Sequence, residues 1–140
     1  MIYLIGSLRN PRVPEIANQL RKYNFNVFDD WFYTGPNTDD HWRDYEKQRG
    51  RTYLEALEGK GAINAFQFDE RNLAASTGCV MVAPAGKSGH LELGIMLGSG
   101  RPGFILLDGE PERYELMVKF ATGICLTVDD LVTQMRKAGL

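Results

Sequence analysis

The chain has 140 residues, of which 44% are hydrophobic and 24% charged, a balance that excludes disordered and collagenous classes. Sixteen Lys and Arg against eighteen Asp and Glu leave a net charge of −2, which excludes a general binder of nucleic acid polymers but permits a local phosphate site. The length suits one domain, residues 1–140, able to bury roughly two-thirds of its unfolded surface without a disulfide or metal.

In chain order, Ile2–Ile5 predicts the first strand, and the opening residues lack the basic region and the full-length apolar region of a signal peptide. Pro14–Tyr23 predicts a helix with Ile16, Ala17 and Leu20 on one stripe, and Asn26–Phe28 a second strand. Phe32–Gly61 is polar and aromatic with mixed charge; it reads either as solvated helices on a long connection or as a lid. A helix is predicted over Ala62–Ala75, a strand over Cys79–Ala83 and a helix over Gly89–Leu97. Strands at Phe104–Leu107 and Ile124–Leu126 and a helix at Val128–Ala138 complete the set. The apolar runs are mostly continuous, as in strands covered on both faces, and they alternate with helices. The expected fold is therefore α/β: a three-layer, doubly wound, parallel five-stranded sheet of the flavodoxin or Rossmann kind. Cys79 and Cys125 lie in apolar runs without CxxC spacing and read as reduced core thiols of a cytoplasmic protein. No apolar run approaches the ~20 residues of a membrane span.

Sheets of this kind bind ligands beyond the carboxyl ends of their strands, near the switch in strand order. That rule points to Gly6–Asn10, Asp29–Trp31, Pro84–Glu92 and Asp108–Glu110. Gly98–Gly103 matches GxGxxG formally, but these glycines follow a helix and precede a strand, so they read as a helix stop. Gly86-Lys87-Ser88 resembles the end of a P-loop, yet Met81 stands where Walker A needs its first Gly. The segment still leads from a strand into a helix, so it reads as an N-terminal anion or polar site, or as an ordinary N-cap by Ser88.

Glu92 falls early in an otherwise largely apolar helix, as a nucleophile or base near the ligand edge or as a complement to the helix dipole. Asp69, 23 residues earlier, is a surface Asp unless it pairs with Glu92, when the two divide nucleophile and acid roles. His41 and His90 have no metal-ligand spacing; His90 reads as a hydrogen-bonding loop-edge residue. Trp31, Phe32 and Tyr33 read as a stacking surface for a base or as rim packing, and Asp29 and Asp30 as hydroxyl partners or turn caps.

Three pieces occur in order: Ile2-Tyr3-Leu4-Ile5-Gly6-Ser7-Leu8-Arg9, Asp69, and Pro84–Gly94 with its Glu-Leu-Gly core. Together they resemble the nucleoside 2-deoxyribosyltransferase superfamily, including its 2′-deoxynucleoside 5′-phosphate N-hydrolases, over most of the chain. The resemblance implies that Glu92 attacks the anomeric carbon, Asp69 protonates or orients the leaving base, and Tyr3 orients the nucleophile. It also implies that Gly6, Ser7 and Arg9 hold a 5′-phosphate, since relatives acting on free nucleosides carry apolar residues there. Asp30, Trp31, Gly86, Ser88 and His90 are the remaining expected substrate contacts. Lys87, His90 and the Phe32–Gly61 segment depart from the family pattern.

The expected ligand is thus a small nucleoside or nucleotide, with no cofactor or metal, and the expected assembly a homodimer. Cleaving an N-glycosidic bond builds positive charge on the sugar, which a carboxylate beneath it stabilises or captures. Water as acceptor makes a hydrolase and a second base a transferase. A nucleotide-binding module without turnover and a glycohydrolase of NAD-type nucleotides are the alternatives.

Overall fold

A computed structural model describes residues 1–140. Five strands form one all-parallel sheet: β1 (Ile2–Ile5), β2 (Val27–Phe28), β3 (Gly78–Val82), β4 (Gly103–Leu106) and β5 (Gly123–Cys125), in the order β2-β1-β3-β4-β5. This is the flavodoxin-like order, and its switch point lies between β1 and β3. Strands β3, β4 and β5 each open on a glycine that the apolar runs in the sequence do not include.

Six helices accompany the sheet: α1 (Arg12–Lys22), α2 (Thr38–Gln48), α3 (Tyr53–Leu57), α4 (Lys60–Ala75), α5 (Lys87–Gly98) and α6 (Val128–Lys137). Short 3₁₀ turns occupy Asp30–Thr34 and Leu116–Phe120. The predicted start of α1 at Pro14 is two residues late, because proline is accepted within a first turn whose amides need no helical partner. No helix is long and apolar enough to cross a membrane.

Alternation along the strands sorts the core into two layers. Ile2, Leu4, Val80, Val82, Phe104 and Leu106 face α1 and α6. Tyr3, Ile5, Cys79, Met81 and Ile105 face α4 and α5. Both faces being covered explains why the strands read as continuous apolar runs. Cys79 and Cys125 are buried and unpaired, and burial pushes both thiols up to about 12.

The long connection is a 3₁₀ turn followed by α2 and α3, and its helices are largely solvated. Glu46 is the one buried residue of α2, paired with Arg51 at 3.2 Å, and Ala56 is the buried residue of α3.

Helix α5 lies close against the sheet. A Cβ on Gly89 would sit 2.9 Å from Ile5 Cγ2 and 3.3 Å from Ala85 Cβ. Ile5 is fully buried and branched at Cβ, so it cannot swing aside cheaply. Gly89→Val is expected to cost about 1–3 kcal/mol by overpacking. Urea denaturation checks this, and an unchanged midpoint would show that α5 has room to spare.

Candidate active site

The site begins with Tyr3, which the register places between Phe28 of β2 and Cys79 of β3. Its ring packs on Phe28 at 5.3 Å between centroids, and Phe28 packs on Phe68 of α4 at 5.7 Å. The ring is buried, yet its hydroxyl reaches α5 and donates a hydrogen bond to Glu92 Oε1 at 3.3 Å. Burial, then the negative charges of Glu92 and Asp69, raise the Tyr3 pKa, so the phenol stays protonated and remains a donor.

Glu92 stands in the second turn of α5 and is half-buried. Burial pushes its carboxyl up to about 7, the charge of Asp69 adds to that rise, and the Tyr3 hydroxyl opposes it. Asp69, on α4, is also half-buried, and its Oδ1 is shielded from water without a hydrogen-bond partner. Burial raises its pKa as well. The structure therefore brings Tyr3, Asp69 and Glu92 into one electrostatic group. Two carboxyls raised by burial, one of them held by a hydroxyl donor and the other not, are suited to divide base or nucleophile and acid roles.

A second feature opens at the switch point. Ser7, Arg9, Asn10, Pro11, Pro84, Ala85 and Gly86 line a cavity of about 310 Å³ with no carboxylate in its wall. Gly6 opens this loop with no room for a side chain, since a Cβ there would lie 2.5 Å from Val13 Cγ2. The Ser7 hydroxyl accepts the Arg9 amide at 3.1 Å, folding the loop back on itself. Gly86 is the N-cap of α5 in extended conformation and offers no side-chain cap. The first amides of α5 are thus available to an acceptor, and the helix dipole reinforces the positive charge of Arg9.

The remaining expected contacts divide. Trp31 walls the end of β1: its Nε1 donates to the Leu4 carbonyl at 2.8 Å and its ring packs on both core layers. Asp30 is exposed on the 3₁₀ turn, while its neighbour Asp29 is committed to an ion pair with Arg21. Ser88 is not the N-cap; it is the second residue of α5 and exposed, because the chain already turns helical after Gly86. His90 does not line the Ser7–Gly86 cavity. Its Nδ1 donates to the Gly86 carbonyl at 2.8 Å, and the residue lines a separate groove of about 870 Å³ between α5 and the 3₁₀ turn at Leu116–Phe120.

Three contributions escaped the sequence reading. Asn10 is buried and bridges the two loops: its Nδ2 donates to the carbonyls of Ala83 at 3.3 Å and Pro84 at 3.4 Å. Its Oδ1 accepts the Arg12 amide at 3.0 Å. The Asn10-Pro11 pair before a helix is the signal for this, since Asn before Pro favours a capping turn. Phe28 and Phe68 buttress Tyr3, and Asp40 of α2 pairs with Arg9 at 3.1 Å; no local pattern announces either. No trio of His, Cys, Asp or Glu gathers to hold a metal ion. No protein-family model and no curated protein matches this chain.

Because Glu92 titrates at about 7 when folded, against its ordinary 4.5, the folded state binds the extra proton between those values. Stability from this group is therefore present at low pH and lost as pH rises through that window. Glu92→Gln is expected to be more stable than the parent at pH 8, by on the order of 1–3 kcal/mol, with the gap closing toward pH 4.5. A gap independent of pH in thermal melts would show that Glu92 is not desolvated. Tyr3→Phe removes the donor that opposes this rise, so NMR titration is expected to show Glu92 moving further up; a downward move would contradict the hydrogen bond.

Proposed function

We propose that this chain cleaves or transfers the N-glycosidic bond of a deoxynucleoside or its 5′-monophosphate, with Glu92 as nucleophile, as in the nucleoside 2-deoxyribosyltransferase superfamily it resembles. The observation that carries this reading is the half-buried Glu92 carboxylate, engaged by the Tyr3 hydroxyl at one oxygen and set beside Asp69. With Oε1 held by Tyr3, Oε2 is the oxygen left to attack.

In the first step Glu92 Oε2 bonds to C1′ as the C1′–N bond breaks. The bonding electrons leave with the base, and protonated Asp69 supplies its proton. In the second step water or the nitrogen of a second base attacks C1′, the ester bond breaks, and Asp69 takes up the acceptor's proton. A nucleophile must be ionised and an acid protonated: burial favours a proton on Asp69, and the Tyr3 hydroxyl favours the ionised form of Glu92.

The Ser7–Arg9 cavity supports a 5′-phosphate at the other end of the ligand, with Arg9 as a forked donor and the α5 amides beyond Gly86. Glu92 lies six residues past Gly86, roughly 9 Å along the helix at 1.5 Å per residue, a span comparable to a phosphorylated pentose. Phe66, Leu91 and Ile95 are exposed on α4 and α5, which supports a second copy of the chain packing over these helices.

Glu92→Ala is expected to lower base release from a panel of deoxynucleosides and their monophosphates by about 10³-fold or more while the circular dichroism spectrum is retained. Unchanged release would remove Glu92 from the chemistry. Binding of a monophosphate by the parent chain without any base release would turn the reading to a nucleotide-binding module.

A further inference from the structure

Arg9 serves two elements at once. It lines the cavity at the switch point, and its Nη2 also donates to Asp40 Oδ2 of α2 at 3.1 Å. This is the one side-chain ion pair or hydrogen bond joining α2 to residues outside the long connection. Asp40 has a second partner, since Arg43 Nη1 donates to its other oxygen at 3.1 Å.

We propose that Asp40 is a specificity-determining residue: its carboxylate holds Arg9 in the free protein and yields it to a phosphate oxygen when a 5′-monophosphate enters. The proposal rests on the reading of Ser7 and Arg9 as the phosphate site. The Arg9 and Asp40 side chains are 67% and 39% exposed, so the bond between them is a surface ion pair and weak. A phosphate brings more charge and three acceptor oxygens to the same guanidinium. Release leaves Asp40 still paired with Arg43, so no charge is stranded by the exchange. A nucleoside has no group that competes for Arg9. Asp40 therefore lowers affinity for monophosphates alone and narrows the preference for them over nucleosides.

Calorimetry at low ionic strength, with deoxynucleoside 5′-monophosphates and the matching nucleosides as probes, tests this. Asp40→Asn is expected to bind monophosphates about two- to fivefold more tightly and nucleosides unchanged. Arg9→Ala is expected to bind monophosphates about tenfold more weakly, and adding Asp40→Asn to it is expected to restore nothing. If Asp40→Asn leaves monophosphate affinity unchanged or weaker, or gives the same gain in the Arg9→Ala background, the competition is overturned while the phosphate site stands. If Arg9→Ala does not weaken monophosphate binding, or the parent binds no monophosphate, both readings fall.

Discussion

The candidate site depends on holding the Glu92 carboxyl partly out of water, with Asp69 beside it. Each group alone pays desolvation, and together they repel when both are ionised. The Tyr3 hydroxyl is the one side-chain donor to Glu92, and it can act only because the phenol remains protonated. Tyr3 in turn is held by the central strand on one side and on the other by Phe28, which Phe68 backs. The aromatic packing, the sheet register and the close seat of α5 at Gly89 therefore converge on one carboxyl group.

The switch point supplies the opposite electrostatic character. Strand β1 turns into the Ser7–Arg9 loop and β3 into the loop that ends at Gly86, and Asn10 clamps the two by donating to carbonyls of the second. That bridge keeps Arg9 and the open end of α5 around one cavity. The molecule thus sets a cavity lined by Arg9 against two half-buried carboxyls. The long connection adds little to the core, and its solvated helices reach the site region through Asp40.

Particular residues show how far local pattern reached. The core stripe of α1 was legible because Ile16, Ala17 and Leu20 recur at helical spacing, and each is fully buried. The helix stop at Gly98–Gly100 was legible because glycine accepts the positive φ found at Gly100. Ser88 and His90 show the opposite case. A side chain's facing along a helix depends on where that helix begins, and the turn starts at Gly86 rather than after Ser88. Only the capping half of Asn10's role was legible, from Asn10-Pro11; its bridge to Ala83 and the pairing of Asp40 with Arg9 were not, because those partners lie 73 and 31 residues away.

From composition and periodicity alone came the layered α/β architecture, since continuous apolar runs between amphipathic helices bury well only as a covered parallel sheet. Those are short-range properties, carried by neighbouring residues. The upward shift of Glu92, its hydrogen bond from Tyr3, and the sharing of Arg9 between a cavity and α2 were decided only in three dimensions. Burial and charge act through space, so distant segments must be brought side by side before either can be felt.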